Sequence, residues 1–256
     1  MNPAPSPPLA IPPDVRPALR LFCIPFAGGG ASAYFRWGQG LPAEIQVCPI
    51  QLRGHETRFA EDAFRSMGPM IEELGPALLP WLDVPFAIFG HSMGAIIGFE
   101  LARFLRRAAG KAPLCLFVSS RRAPQVATSA RKIAGLPDNE FVREMTEQYN
   151  AIPDLVRQDR ELMNRFIPIL KADMTMLESY EYRRDDPFSF MISAFGGLED
   201  RHVSMDDLDA WREHTRGPSK VRQFPGGHFF IKDRRAEVLR AVAQDLIEVL
   251  SRGRVP

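Results

Sequence analysis

The alternation of short apolar runs with longer segments of helical apolar spacing constrains the fold of this chain most strongly. Runs this short, rich in β-branched and aromatic residues and separated by helical segments, are typical of parallel strands buried on both faces. The alternation therefore predicts a doubly wound α/β fold, with a mostly parallel central sheet flanked by helices. The predicted strands cover residues 19–26, 45–52, 86–92, 113–120, 188–195 and 219–226.

The helical segments predict how the chain is organised. Apolar residues recur at helical spacing over 66–82, 94–108 and 233–252. Two further helical patterns, 137–149 and 159–180, follow each other with no strand between them. We expect them to form a helical lid insertion, at about 137–182, over one end of the sheet. With no internal repeat or Gly/Ser linker, the predicted organisation is a Pro-rich tail, 1–18, and a single domain, 19–256.

Composition narrows the functional classes. A chain of 256 residues with 45% hydrophobic and 25% charged residues is typical of a soluble globular protein. Its net charge of +1 gives no general attraction to nucleic acid, and no apolar run approaches the roughly 20 residues that span a membrane. Cys23, Cys48 and Cys115 lie in apolar runs without metal-site spacing, as expected of buried thiols in a reducing compartment. We expect a cytoplasmic protein without a metal or cofactor.

A candidate nucleophile lies in the sequence Gly90-His91-Ser92-Met93-Gly94, between a predicted strand and a predicted helix. A serine on such a turn stands exposed at the strand end, and flanking glycines allow close backbone approach. The helix N-terminus behind it favours developing negative charge. The alternative is a Gly-rich turn whose serine only caps the helix. The strand before the motif and the helix after it favour a nucleophile, as in α/β-hydrolases.

Candidate partners for Ser92 follow it in the chain. In this fold class the order is serine, acid, histidine, so the base lies well downstream. His228 follows a predicted strand and a Gly-Gly turn, close to the last helix, and is the predicted base. Asp200 and Glu199 both follow the predicted strand at 188–195, and either could orient the imidazole. We favour Asp200.

An oxyanion hole needs backbone N–H donors. One is expected from Met93, the residue after the nucleophile, and the other from the glycine-rich loop after the first strand. In that loop Ala27 is the predicted donor, with Phe26 the neighbouring possibility. A phosphate-binding loop is the alternative, but no G-x-G-x-x-G or P-loop lysine follows. Phe26 and Gly28, with Phe229 beside the base, are expected to contact the substrate.

A set of motifs, in order along the chain, resembles the type II thioesterases that accompany modular polyketide synthases and nonribosomal peptide synthetases. The resemblance runs from about Leu19 to the last helix. The motifs are PFAGGGASAYF, QLRGHETRF, FGHSMGA, LPDNEF, ILKADMTMLESYEYR, FGGLEDRHV and FPGGHFFI. Many relatives carry a Pro-Gly-Arg turn where this chain has Leu52-Arg53-Gly54-His55, a departure that bears on substrate preference and not on the triad.

This resemblance implies an activity and a partner. It implies Ser92, Asp200 and His228 as the triad, Ala27 and Met93 as oxyanion donors, and a lid over 137–182. The implied reaction is hydrolysis of acyl thioesters on the phosphopantetheine arm of a carrier protein, with a carrier domain as partner and the enzyme as a monomer. The pantetheine belongs to the substrate, so no cofactor of the enzyme is implied.

Two other functions remain open from the sequence. A carboxylic-ester hydrolase of the lipase or esterase kind uses the same triad. A noncatalytic module that holds carrier domains is the alternative outside enzymes, although a scaffold does not require an intact triad.

Basic and methionine-rich segments suggest further roles. Arg121 and Arg122, after a predicted strand, are expected to contact an acidic carrier domain or its phosphate, whereas Arg103, Arg106 and Arg107 are expected on a solvated helix face. Residues of the predicted lid could line an adaptable acyl channel or simply pack the lid onto the body. They are Phe141, Met145, Met163, Phe166, Met174, Met176 and Leu177.

Overall fold

The structure of the chain is a computed structural model that describes residues 17–252 except 128–129, 150–151 and 153. Residues 1–16, most of the predicted Pro-rich tail, lie outside the described residues.

The core of the fold is a six-stranded sheet in which every neighbouring pair of strands is parallel. The strand order is β2-β1-β3-β4-β5-β6. Each predicted strand is present, so the predicted α/β class with a parallel sheet is confirmed. The strands are β1 (Leu19–Ile24), β2 (Ile45–Pro49), β3 (Phe86–His91), β4 (Cys115–Ser119), β5 (Met191–Gly197) and β6 (Ser219–Phe224).

Helices connect the strands and cover both faces of the sheet. The helices predicted from apolar spacing are all present, and the described residues form three additional short α-helices and several 3-10 turns. The α-helices are α1 (Met67–Leu78), α2 (Met93–Ala109), α3 (Asp138–Tyr149), α4 (Asp154–Gln158), α5 (Arg160–Glu178), α6 (Met205–Asp209), α7 (Phe230–Asp233) and α8 (Arg235–Arg252).

Two hydrophobic clusters lie on the two faces of the sheet. Residues of α1 and α2 pack with one face, together with Trp211 in the segment after α6. The other face packs against α8 and the buried Trp37. Burial of apolar surface contributes roughly 25 cal/mol per Å² to the free energy of folding, so these clusters hold the helices against the sheet. These two clusters therefore fix the strand ends at which the candidate active-site residues lie.

Strand β6 differs from the expectation that every strand is buried on both faces. It lies at the edge of the sheet, and most of its residues are partly or fully exposed. Lys220 and Arg222 on this strand pair with the buried carboxylate of Asp245 in α8. An edge strand has one free side, so its alternate side chains can reach solvent and carry charge.

Helices α3, α4 and α5, which we call the cap helices, lie between β4 and β5 in sequence. Their apolar residues form a third cluster that includes Phe141, Met145 and Leu170. Ala27 and Phe229 from the body pack against this cluster. The cap helices are thus in contact with the loops that follow β1 and β6.

Within the described part of the chain, no helix is long and apolar enough to cross a membrane.

Candidate active site

Ser92 lies on a sharp turn between β3 and α2. Its backbone has a positive φ of 52° with a ψ of −109°, a combination outside the regions that residues with a side chain normally adopt. The Ser92 N–H donates to the Ser119 carbonyl oxygen at 2.7 Å and ties the turn to the neighbouring strand end. The side chain is only partly buried. The turn therefore holds the hydroxyl at the carboxyl end of the sheet.

The glycines on either side of Ser92 are required by close backbone contacts. A Cβ at Gly90 would lie 2.0 Å from the Gly94 carbonyl oxygen. A Cβ at Gly94 would lie 2.2 Å from the carbonyl oxygen of Ile24 in β1. Real Cβ atoms do not approach backbone this closely, so both positions exclude any side chain.

His228 connects Ser92 to an acid. Its Nε2 lies 3.0 Å from Ser92 Oγ, and its Nδ1 lies 2.9 Å from Asp200 Oδ2. The two loops that carry His228 and Asp200 are joined, because the Glu199 N–H donates to the Gly226 carbonyl oxygen at 3.0 Å. The structure thus brings the predicted nucleophile, base and acid into one hydrogen-bonded chain.

Asp200, and not Glu199, is the carboxylate that faces the base. The Asp200 side chain is buried, and its Oδ1 accepts the His202 N–H at 3.0 Å. Burial alone would raise its pKa, but the hydrogen bond and charge of His228 and the His202 N–H hold the pKa of Asp200 below its usual range. Glu199 is exposed on the same turn. Asp200 therefore stays ionised beside His228 at neutral pH.

The residues predicted to donate to an oxyanion lie on two sides of Ser92. Met93 is the first residue of α2, and the first N–H groups of a helix have no partner within it. Ala27 lines the same cavity as Ser92 and His228. Phe26 and Phe229, predicted to contact substrate, line this cavity too and meet edge to face at 4.9 Å.

Gly28 is held by a carboxylate from the cap helices. Its N–H donates to Asp173 Oδ2 of α5 at 2.7 Å. His55 Nε2 lies 2.9 Å from the same oxygen, and both side chains are buried. Gly28 therefore anchors the loop of Ala27 to α5, and is not among the residues that line the cavity. Sequence reasoning missed Asp173 and His55; a lone acid on the apolar face of α5 was the available signal.

The cavity at Ser92 is small, about 40 Å³. Most of its lining is apolar, and α3 and α5 supply much of it. Of the methionines predicted to line an acyl channel, Met145 and Met174 do so, together with Leu177. Met163 and Phe166 pack within the cap cluster, and Met176 packs in the core of the body. Some of these residues therefore line the cavity, and the others pack the cap helices together or onto the body.

The arginines divide differently from the sequence expectation. Arg121 lines the cavity at Ser92, and Arg122 donates to the His202 carbonyl oxygen at 3.0 Å. Arg103 does not lie on a solvated face: it is buried and pairs with Glu100 and Asp185 at 2.7 and 3.2 Å. Arg106 and Arg107 also contact Asp185; Arg106 is half-buried, whereas Arg107 is exposed on the helix surface as expected.

His91, next to the nucleophile, is fully buried. Its Nδ1 lies 2.9 Å from Ser119 Oγ, and its ring meets Phe26 edge to face. Burial, reinforced by the charge of His228, holds the pKa of His91 well below its usual range. His91 is thus a neutral packing residue beneath the site and takes no proton from Ser92.

Comparison with known proteins shows the family to which this chain belongs. Residues 19–246 match the thioesterase domain family. The chain belongs to this family. This thioesterase is 43% identical over 233 residues to the gramicidin S biosynthesis protein GrsT of Aneurinibacillus migulanus, with 91% of each chain covered. The resemblance to thioesterases seen in the motifs is therefore confirmed.

Solved structures extend the comparison. The thioesterase is similar to the type II thioesterase BorB from the borrelidin biosynthetic cluster, with a TM-score of 0.85, 32% identity, and 96% of this chain and 100% of that chain covered. It is also similar to ClbQ from the colibactin NRPS/PKS pathway, with a TM-score of 0.86, 29% identity, and 90% and 98% covered. The fold class is that of the α/β-hydrolases, and the enzyme class is a serine hydrolase that cleaves thioesters.

Proposed function

We propose that this thioesterase hydrolyses acyl groups from the phosphopantetheine arm of acyl or peptidyl carrier proteins, with Ser92, His228 and Asp200 as its triad. The observation that carries the triad is the pair of distances from the His228 ring, 3.0 Å to Ser92 Oγ and 2.9 Å to Asp200 Oδ2. The carrier-bound substrate is supported by relatives from gramicidin S, borrelidin and colibactin biosynthesis.

The proposed reaction runs through an acyl-enzyme. His228 Nε2 accepts the Ser92 proton as Oγ attacks the thioester carbonyl carbon, and Asp200 stabilises the imidazolium that forms. The tetrahedral intermediate collapses, the carbon–sulfur bond breaks, and the imidazolium returns the proton to the leaving thiolate. Water then attacks the acyl-enzyme with His228 as base, the bond from the acyl carbon to Ser92 Oγ breaks, the imidazolium returns the proton to Oγ, and the free acid leaves. These steps use protein groups and water, and the pantetheine arrives with the substrate.

Backbone N–H groups of Ala27 and Met93 are assigned to the oxyanion that develops during both attacks. They come from the loop after β1 and from the start of α2, on two sides of the nucleophile. Loss of one such donor typically costs about 100- to 1000-fold in kcat. The link from Gly28 to Asp173 supports this assignment, because it fixes the loop next to Ala27.

The proposal extends to the cap helices, the docking of the carrier domain and the oligomeric state. The cap helices act as the lid of a single domain that extends from residue 19, and the carrier domain docks where the cavity opens. The triad comes from one chain, so a monomer suffices. The three cysteines are buried and free, which fits work in the reducing cytoplasm.

A comparison of substrates tests the proposal. One acyl group is presented as a thioester on a carrier protein, as an N-acetylcysteamine thioester and as a nitrophenyl ester. We expect kcat/KM to be highest for the carrier-bound thioester, and the Ser92→Ala variant to lose at least about 1000-fold on all three. Rapid ester cleavage with negligible carrier cleavage would instead indicate an esterase. Carrier binding without any turnover would indicate a noncatalytic module.

A further inference from the structure

Among the described residues, Arg121 is the one arginine or lysine that lines the small cavity at Ser92. It lies two residues beyond the end of β4, and shares the cavity with Ser92 and His228. The remaining lining is mostly apolar and includes Phe26, Met174 and Leu177, among others. A charged group therefore faces the space where the acyl group would lie.

The guanidinium of Arg121 has no partner among the described residues. No hydrogen bond or ion pair is formed by its side chain there, and its Nε is buried without a hydrogen-bond acceptor. Other arginines in the interior each contact at least one carboxylate. The pairs are Arg20 with Asp83, Arg58 with Glu61 and Glu73, Arg103 with Glu100 and Asp185, and Arg222 with Asp245.

Arg121 nevertheless remains charged at neutral pH. Burial lowers its pKa to about 10, with a smaller effect in the same direction from the charge of Arg122. Removing a cation from water without supplying an anion costs free energy, and the cost falls when a ligand supplies the missing charge. An anionic group in this cavity would therefore bind more tightly, because the apolar surroundings screen its attraction to Arg121 only weakly.

We propose that Arg121 is a substrate-specificity residue that binds a carboxylate at the far end of the acyl group, so that the preferred substrates are thioesters of short dicarboxylic acids. This inference rests on the proposed thioesterase function. The cavity volume of about 40 Å³ favours a group of few atoms. The phosphate of the pantetheine arm lies at the opposite end of the arm from the thioester, so a cavity this small at Ser92 cannot receive it. Planar guanidinium also matches the two oxygens of a carboxylate.

Two thioesters whose acyl groups have the same shape but differ in charge distinguish an effect of the carboxylate from an effect of size. Succinyl-N-acetylcysteamine ends in a carboxylate, and 4-methylpentanoyl-N-acetylcysteamine has an isopropyl group in its place; neither contains phosphate. We expect the wild-type enzyme to prefer succinyl in kcat/KM by at least about 10-fold, since a polar site rejects a partner that leaves it unpaired. In Arg121→Gln, the ratio of the two kcat/KM values should fall by about 100-fold.

Two further variants complete the experiment. Arg121→Lys keeps the charge and should retain a preference for succinyl. Arg122 does not line the cavity, so Arg122→Gln should leave the ratio of the two kcat/KM values within about 2-fold of wild type. If Arg121→Gln does not fold, competitive inhibition of the wild type by succinate, compared with 4-methylpentanoate, decides the matter.

The outcomes distinguish this inference from the function on which it rests. A wild-type preference for 4-methylpentanoyl, or a ratio that Arg121→Gln leaves unchanged, or stronger inhibition by 4-methylpentanoate, would overturn the role of Arg121 while the thioesterase activity stands. Hydrolysis of neither thioester, nor of any carrier-bound acyl group, would overturn the proposed function itself.

Discussion

At the scale of single residues, the strained backbone of Ser92 depends on the small residues around it. Ser92 has φ 52°, a conformation that costs of order 1–3 kcal/mol for a residue with a side chain. It is held there because α2 starts immediately against the end of β1, with Gly94 next to the Ile24 carbonyl oxygen. The close approach of backbone to backbone therefore exposes the hydroxyl to His228.

A substitution at Gly94 should disturb this turn. In Gly94→Ala the added Cβ would lie 2.2 Å from Ile24 O and 2.7 Å from Pro25 O, both backbone atoms that cannot rotate away. We expect the free energy of unfolding to fall by at least about 2 kcal/mol and kcat/KM to fall by at least about 100-fold. Denaturant unfolding and thioester kinetics measure both.

Gly68 provides the matched control. It lies in the first turn of α1, and a Cβ there would meet nothing within 4 Å. Gly68→Ala should leave activity unchanged and stabilise the protein by up to about 1 kcal/mol, because alanine is the better helix former. Normal activity in Gly94→Ala would show that the turn does not need the glycine.

The candidate site could be predicted from the sequence to the level of motifs. The G-x-S-x-G turn and the histidine after a Gly-Gly pair have local signals, so Ser92 and His228 were identifiable. The local pattern does not separate Asp200 from Glu199, because adjacent residues on one turn differ only in which way the turn faces; the resemblance to thioesterases is what implied Asp200. That direction is set by the Glu199 to Gly226 backbone contact, between loops about 27 residues apart.

At the scale of elements, α5 is linked to the oxyanion loop through a buried acid. Asp173 accepts hydrogen bonds from the Gly28 N–H and from His55, residues that follow β1 and β2. The two contacts span 145 and 118 positions in sequence. No pattern in a single sequence indicates such partners, so this link could be seen only in the structure.

Removal of the Asp173 carboxylate should impair both stability and catalysis. Asp173→Ala removes the acceptor of the Gly28 N–H and leaves the buried His55 Nε2 without a partner, which should cost about 3–5 kcal/mol of unfolding free energy. We expect kcat to fall by about 10- to 100-fold, with a smaller change in KM, because the loop of Ala27 loses its anchor. Steady-state kinetics on one thioester and denaturant unfolding measure these effects.

Two variants show whether Asp173 acts through the loop. Asp173→Asn keeps a carbonyl oxygen that can accept the Gly28 N–H, so it should recover most of kcat. Asp138→Ala removes an exposed acid on α3 that pairs with Lys171, and should cost less than about 1 kcal/mol. An Asp173→Ala enzyme with normal kcat would contradict the anchoring of the loop by α5.

The protonation of His55 should make this link depend on pH. Its Nδ1 lies 2.8 Å from the Arg53 carbonyl oxygen and its Nε2 lies 2.9 Å from Asp173 Oδ2, so both nitrogens face acceptors and the doubly protonated ring satisfies both. Burial opposes the charged form, but the charge and hydrogen bond of Asp173, the Arg53 carbonyl and the charge of Glu56 together raise the pKa of His55 above its usual value.

The sign of the effect follows from the raised pKa. The stabilisation is complete below the unfolded pKa of about 6.5, and is lost as pH rises through the folded pKa. The difference in melting temperature between wild type and His55→Gln should therefore be largest at about pH 6 and decrease toward about pH 9. A difference that stays constant over this range would show that His55 does not change its charge there.

At the scale of the whole molecule, the fold was the part most accessible from the sequence. Strands β1 to β5 each have the run of mostly apolar residues that a buried parallel sheet requires, and the right-handed connections of parallel strands leave few topologies. The order β2-β1-β3-β4-β5-β6 was not accessible, since it depends on which strands pair across the sheet. The exposure of β6 was missed because the alternation of strands and helices predicts only that a strand lies there. Four of its six residues are polar or charged, namely Ser219, Lys220, Arg222 and Gln223, and this was the available signal for an edge strand.

The central claim is that Ser92 becomes acylated during the hydrolysis of a carrier-bound thioester. The most direct measurement is peptide mass spectrometry of the enzyme, quenched rapidly during turnover of an acyl-carrier protein. We predict the mass of the acyl group on the peptide that contains Ser92 and its absence from Ser92→Ala, with the free acid as product. Turnover with the acyl group on another residue, or with no acylated enzyme and full activity in Ser92→Ala, would contradict the claim.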